Sequence, residues 1–217
     1  MNILFIGNSY TYYNDMPMLF QALANDNGKD VTVCSVTRGG RTLFAYRDSA
    51  DEATRELDAV LSKEQFDVCF IQEQSVYPIA EYDRFIDGLE CVIDKAKGSV
   101  DAFILYATWG RKTGSDTLTQ YGWTNAEMTK GLADAYDRAA ARFGAAVSHV
   151  GLNFFDVYTN YSEIELYDPD MTHPSYQGSC LAALTHYYTL FHEFPENTTA
   201  LTLTPAELAV FRDTVCT

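Results

Sequence analysis

The chain opens on an apolar run without alternation, Ile3-Leu4-Phe5-Ile6, which stops abruptly at Gly7-Asn8-Ser9. Such a run suits a central parallel strand covered on both faces, and Gly7 permits the sharp exit that strand needs. From 16 to 27 the period changes: Met16, Leu19, Phe20 and Leu23 fall at helical spacing, and Asn27-Gly28 supplies the stop. The alternation then repeats. A second strand over 31–36 ends in Thr37-Arg38-Gly39-Gly40-Arg41-Thr42, and Leu57, Val60 and Leu61 mark a helix. A third strand over 66–71 ends in Gln72-Glu73-Gln74-Ser75, and after Pro78 a helical face carries Phe85, Ile86, Leu89 and Ile93. A fourth strand over 102–106 runs into Ala107-Thr108-Trp109-Gly110-Arg111. Met128, Leu132, Ala135, Tyr136 and Ala139 give the next helix, closed by Phe143-Gly144, and 145–150 reads as a fifth strand.

Strands alternating with helices predict an α/β fold: a three-layer α/β/α sandwich, flavodoxin-like, around a central parallel sheet of about five strands. The pattern breaks after the fifth strand. A short helix is expected over 153–161, a loop over 163–172, and a long helix over 175–191 with Pro174 in its first turn. Pro205 opens a final surface helix over 206–215. The polar, glycine-bearing stretch 111–123 reads as a long loop over the carboxyl edge of the sheet, a place for substrate contacts. No repeat, low-complexity stretch or linker divides the chain, so 1–217 is expected to form one domain.

Ser9 stands at the carboxyl end of the first strand, where open α/β sheets place their ligand sites. Alone, Gly-Asn-Ser is equally an ordinary βα turn with Asn8 or Ser9 as a helix cap. A distant stretch changes the balance. In Asp168-Pro169-Asp170-Met171-Thr172-His173-Pro174-Ser175 an acid and a histidine stand three residues apart. In a tight loop a carboxylate at that spacing reaches Nδ1, fixes the tautomer, and leaves Nε2 free to take a hydroxyl proton. The hydroxyl must come from elsewhere in the chain, and Ser9 is the candidate. Asp170 is the first choice of acid and Asp168 the alternative.

Gly7-Asn8-Ser9 near one end with Asp170-Met171-Thr172-His173 near the other resembles the SGNH/GDSL hydrolase superfamily, whose opening motif is Gly-Asp-Ser and whose closing motif is Asp-x-x-His. The phrases Phe5-Ile6-Gly7-Asn8-Ser9-Tyr10-Thr11, Ile71-Gln72-Glu73-Gln74-Ser75, Thr108-Trp109-Gly110-Arg111 and Tyr167-Asp168-Pro169-Asp170 are similar to a bacterial SGNH-like branch with no assigned substrate. The resemblance implies a serine esterase acting through an acyl-enzyme without a cofactor. In it Ser9 is the nucleophile, His173 the base and then the acid, and Asp170 the orienting partner. It also implies an oxyanion hole from the Ser9 N–H, the Gly40 N–H and a side-chain amide after the third strand. There the chain departs from the family. Glutamine replaces asparagine, with Gln74 and Gln72 both on the right side of an extended segment. Asn8 replaces the motif's aspartate and, with Trp109 and Arg111, is a candidate for substrate contact. An O-acetylated carbohydrate is the expected substrate class, with other small esters open.

Composition narrows the partners. With 30 acidic residues against 15 basic, the formal charge of −15 repels nucleic-acid backbones and anionic membrane surfaces. No apolar window has the length of a membrane span. Five scattered cysteines and His149, His186 and His192 lack ligand spacing, so no metal is expected and the thiols read as reduced. The chain enters a strand at once, without a basic segment, apolar core and cleavage site, which favours the cytoplasm unless a leader has been removed. A rival from another class is a non-catalytic flavodoxin-like module in which Ser9, Thr11 and Asn14 bind a phosphate or flavin. It gives Asp170 and His173 no task.

Overall fold

The computed structural model of the protein describes residues 1–217. Strands β1 (Asn2–Gly7), β2 (Thr32–Thr37), β3 (Phe66–Ile71), β4 (Val100–Tyr106) and β5 (Ala146–Ser148) form a five-stranded, all-parallel sheet in the order β2-β1-β3-β4-β5. The chain moves outward from β1 to β2, then returns to add β3 on the other side of β1. The strand order therefore reverses at β1, and the loops leaving β1, β2 and β3 meet above that point. Register sharpens this convergence: Ile6 pairs with Ile71 and Gly7 with Thr37, so the three carboxyl ends are level.

Successive residues of each strand feed opposite layers. Phe5, Phe70, Ile104 and Tyr106 face α2 (Met16–Asp26), α8 (Val150–Asn160), α9 (Tyr176–Phe191) and α10 (Pro205–Val215). Leu4, Ile6, Cys69, Ile71 and Leu105 face α3 (Glu52–Leu61), α5 (Tyr82–Ala96) and α7 (Asn125–Phe143). Each of these fully buried aliphatic or aromatic side chains contributes about 1.5–3 kcal/mol by leaving water. No helix is long and apolar enough to cross a membrane.

The structure departs from the sequence pattern in four places. β5 is only three residues long, because the apolar run continues as α8 from Val150, three residues earlier than expected. The Gly151 N–H donates to the Ala107 carbonyl, and a Cβ at Gly151 would stand 2.1 Å from the Thr108 oxygen, so α8 lies too close to the exit of β4 for any other residue. Within 111–123 the loop holds a short helix, α6 (Asp116–Tyr121), capped by the Ser115 hydroxyl and ended by Gly122 in the left-handed region. Pro174 lies outside α9: Ser175 is the cap, and Pro174 forms an isolated antiparallel bridge with Tyr167. Finally, α10 is no surface helix along its length, since Phe211, Thr214 and Val215 are buried.

Candidate active site

Because β1 ends in glycine, the chain turns at once into α1 (Ser9–Tyr12). Asn8 caps this single turn, its side-chain oxygen accepting from the Tyr10 N–H and its Nδ2 donating to the Arg41 carbonyl at 3.0 Å. A Cβ on Gly7 would lie 2.4 Å from Thr11 Oγ1 and 2.6 Å from Gln72 Oε1. Gly7→Ala is therefore expected to lower stability by about 1–3 kcal/mol, the usual cost of forcing atoms into a filled site. Chemical denaturation measures it, and an unchanged midpoint would show that the turn yields freely.

The histidine loop is a second tight turn. Its neck is closed by the Asp168 N–H donating to the His173 carbonyl at 2.9 Å, and Met171 takes a left-handed conformation with φ of 60°. Asp170 Oδ1 accepts the backbone N–H groups of Thr172 and His173, both at 2.9 Å, while Oδ2 lies 2.5 Å from His173 Nδ1. Across the cleft, His173 Nε2 is 2.7 Å from Ser9 Oγ. A carboxylate at Nδ1 places the ring proton there, so Nε2 accepts from the serine hydroxyl. Desolvation pushes the Asp170 carboxyl up, but hydrogen bonds from the His173 ring and from the His173 and Thr172 backbone together hold it below its ordinary value. Asp168, the alternative acid, contributes only backbone hydrogen bonds.

Tyr13 and Asn14, which the sequence reading did not connect to the histidine loop, hold this pair together. Tyr13 stacks flat on the His173 imidazole, with centroids 4.2 Å apart and planes 9° from parallel. Asn14, at φ 52°, donates from Nδ2 to the Pro174 carbonyl at 3.1 Å and to Ser179 Oγ at 2.9 Å, tying the nucleophile segment to the histidine loop. Asn14 and Asp15 both sit in the left-handed region, which short polar side chains tolerate best. Their spacing carries no motif. Thr11 Oγ1 likewise donates to Gln72, so the side-chain N–H and O–H donors that a binding module would turn on a phosphate are already engaged at Thr11 and Asn14.

The tripeptide after β3 fastens three different pieces. Gln72 is buried, with Oε1 accepting from the Asn8 N–H at 2.9 Å and Thr11 Oγ1 at 3.0 Å, and with its amide N–H donating to the Glu73 carbonyl. Its carbonyl oxygen and one amide N–H are engaged in the turn below Ser9, so Gln72 braces that turn. Gln74 differs: Oε1 accepts from the Val76 N–H at 3.1 Å, and its Nε2 has no protein acceptor. Gly40 lies at φ 65° in the exposed turn after β2, its N–H without a protein acceptor, and the Ser9 N–H at the start of α1 is likewise unpaired. Glu73, between the two glutamines, is completely buried.

The three candidates for substrate contact are supports. Trp109 is fully buried, stacked on Phe154 at 4.1 Å, and donates from Nε1 to the Thr172 carbonyl at 3.1 Å, bracing the histidine loop from beneath. Arg111 is buried, bonds Ser75 Oγ from Nη2 at 2.8 Å and lies over the Tyr10 ring. Asn8 is 1% exposed. The polar strand ends Trp109 and Arg111 looked accessible because sequence does not show the loop folding back over them. The other histidines stay apart from the site. His186 is buried against Ser148, and burial pulls its pKa down to about 3. His149 pairs with Asp137 at 3.0 Å.

One surface depression, of about 340 Å³, borders the histidine loop at Asp170, Met171 and Thr172 and is closed on the other side by Ser115 and Asp116. Another, of about 510 Å³, is lined by Arg47, Asp87, Glu90, Cys91, Asp94 and Lys95, and none of three others, of about 210–390 Å³, is lined by Ser9 or His173. The line of hydroxyl, imidazole and carboxylate is suited to acyl transfer.

No family model matches the chain, and no curated protein matches it in sequence. Solved structures do. A proposed SGNH hydrolase from Slackia heliotrinireducens is 29% identical, with a TM-score of 0.77 over 88% of this chain and 98% of that one. A DUF4886 family protein from Bacteroides uniformis is 17% identical, with a TM-score of 0.78 over 100% of this chain and 93% of that one. A variant of an acetyl xylan esterase from Geobacillus stearothermophilus is 17% identical, with a TM-score of 0.64 over 90% and 97%. The last two likenesses are of fold.

Proposed function

We infer that this chain, an SGNH-like hydrolase by architecture, is a serine ester hydrolase with Ser9, His173 and Asp170 as its triad. The observation that carries the reading is the unbroken line from Asp170 Oδ2 through the His173 ring to Ser9 Oγ, with steps of 2.5 and 2.7 Å between residues from opposite ends of the chain.

In the first half-reaction Ser9 Oγ attacks the ester carbonyl carbon while His173 Nε2 takes the hydroxyl proton. The carbonyl electrons move onto oxygen, where the N–H groups of Ser9, Gly40 and the Gln74 side chain meet the developing charge. The tetrahedral intermediate collapses, the C–O bond to the alcohol breaks, and His173 returns its proton to the leaving oxygen. Water, deprotonated by the same imidazole, then attacks the acyl-enzyme, and the acid leaves as Ser9 recovers its proton. Asp170 keeps its charge throughout and stabilises the imidazolium.

The substrate class we favour is an O-acetylated carbohydrate. What supports it is the fold shared with an acetyl xylan esterase, which favours a short acyl group on a polar alcohol. A panel of p-nitrophenyl esters of rising acyl length, run beside acetylated xylooligosaccharides, tests this. Acetate should be turned over fastest and octanoate at least tenfold slower; the reverse order would replace a sugar acetate with a lipid-like ester. Absence of turnover across the panel, together with no covalent labelling by a serine-directed phosphonate, would end the esterase reading.

The two glutamines should separate in the same assay. Gln74→Ala is expected to lower kcat by about 10²- to 10³-fold with little change in KM, the scale for one lost oxyanion donor. Gln72→Ala should instead lower the unfolding midpoint, because it strips acceptors from the buried Asn8 N–H and Thr11 hydroxyl. If Gln74→Ala left kcat within threefold of wild type, Gln74 would have no place in the hole.

A further inference from the structure

Glu73 is a buried carboxyl at the point where the loops leaving β2 and β3 meet. Its Oε1 accepts the Leu43 N–H at 3.0 Å and the Gln74 N–H at 2.6 Å, and its Oε2 shares the Leu43 N–H at 3.2 Å. One carboxyl therefore bonds both the segment that follows Gly40 and the residue that carries the free amide. On the far side its own N–H donates to the Tyr136 hydroxyl of α7 at 3.0 Å. The facing groups are few: Tyr136 from α7, with its proton retained through burial, and Arg84 from α5, which acts at longer range and forms no ion pair with it. A structural acid in such a place is unusual, because a backbone carbonyl or an asparagine could accept the same two bonds without the cost of burying an ionisable group.

Resting on the reading of Ser9 as nucleophile, we propose that Glu73 is a positioning residue that sets the spacing of the two oxyanion donors, the Gly40 N–H and the Gln74 amide. It performs this in its neutral form. Desolvation pushes its pKa up from 4.5 to about 8, against the opposing pull of the Gln74 and Leu43 N–H groups and of Arg84. At neutral pH the protonated carboxyl still accepts the Leu43 and Gln74 N–H bonds through Oε1. Above about pH 8 a full negative charge forms directly behind the donors and opposes the negative charge developing on the ester oxygen. The rate should therefore fall on the alkaline side.

Linkage gives a second readout with a definite sign. A group that holds its proton more tightly folded than unfolded takes up protons on folding, so its contribution to stability is full below the unfolded value of 4.5 and is lost as pH rises toward about 8. Wild-type stability should thus decline across that window relative to a variant with no titrating group at this position.

The experiment uses the full chain, p-nitrophenyl acetate, and the variants Glu73→Gln and Glu73→Ala. Glu73→Gln mimics the neutral acid: kcat at pH 7 should stay within about threefold of wild type, while the alkaline fall in kcat and the relative loss of stability above pH 4.5 disappear. Glu73→Ala releases both loops, so kcat should drop about 10²-fold with KM within twofold, the scale of a displaced oxyanion donor. Hydrogen exchange reads the clamp itself. The Leu43 and Gln74 amides should lose protection together in Glu73→Ala and keep it in Glu73→Gln. An alkaline limb retained in Glu73→Gln, a Glu73→Ala kcat near wild type, or lost protection at only one amide would each overturn the proposal. Should Glu73→Ala fail to fold, the pH profile of Glu73→Gln decides alone. If wild type hydrolyses no ester and takes no phosphonate label, the esterase reading fails, whereas the exchange data still decide the clamp.

Discussion

Ser9→Ala is expected to abolish ester turnover, with kcat falling by about 10⁶-fold, the scale seen when a serine hydrolase loses its nucleophile. The hydroxyl is 2.7 Å from the only base in the cleft, and no second nucleophile stands in reach to replace it. Tyr10, the next residue, is buried, and burial pushes its pKa up to about 12. Removing one oxygen should leave the fold intact, because Ser9 Oγ holds no other hydrogen bond. The gap between lost turnover and retained stability is the signature of a nucleophile. The check is single-turnover kinetics with p-nitrophenyl acetate beside a thermal melt. Turnover within tenfold of wild type would assign the chemistry to another residue, and loss of the folded state would make Ser9 a structural cap.

Asp170→Asn carries the second largest expected effect, about 10⁴-fold in kcat. The reason lies in how the carboxylate is held. Oδ1 is bonded by the Thr172 and His173 backbone N–H groups, and Oδ2 alone faces the ring. An asparagine must keep its carbonyl oxygen toward the two backbone donors, which turns its NH₂ toward His173 Nδ1. That nitrogen must then accept, the ring proton moves to Nε2, and the base can no longer take the proton of Ser9. Because both backbone bonds survive, the loop should keep its shape. The drop should appear in kcat with KM little changed, and a pH–rate profile of Asp170→Asn should lack the wild-type plateau. A loss below tenfold would show that the ring is oriented by Tyr13 and the loop alone.

Asp170 also ties the site to acid stability. Hydrogen bonds hold its folded pKa below the unfolded value, so its stabilising contribution is present above that unfolded value and is lost as pH falls through the folded one. Nearly half of its side chain is exposed, which keeps that contribution small. Glu73 works in the opposite direction and over a higher window, so the two acids can be told apart by titration.

The glutamines illustrate a limit of reading a strand end from its letters. Gln72 and Gln74 point the same way along an extended segment, and periodicity offers no means to choose between them. What separates them is which donors lie nearby: the Asn8 N–H and the Thr11 hydroxyl engage Gln72, while only Val76 engages Gln74. Those neighbours come from other parts of the chain, and their approach is possible because Gly7 has no side chain. Trp109 and Arg111 failed for a related reason. A polar or aromatic residue leaving a strand looks open until the histidine loop and α8 are laid over it.

By itself the sequence determined the layered α/β architecture around a parallel sheet of about five strands, and it singled out Ser9, Asp170 and His173 as candidates. Those features rest on local periodicity and on short motifs whose geometry is confined to a few residues, so each can be read where it stands. The tertiary structure alone decided which glutamine is free, that the three supposed substrate contacts are buried braces, and that Glu73 joins two loops. These depend on close approach between segments separated by 30 to 165 residues, as in the bonds of Glu73 to Leu43 and of Asn14 to Ser179. A buried hydrogen bond has no local signature in the chain; it exists only where folding removes water from both partners at once.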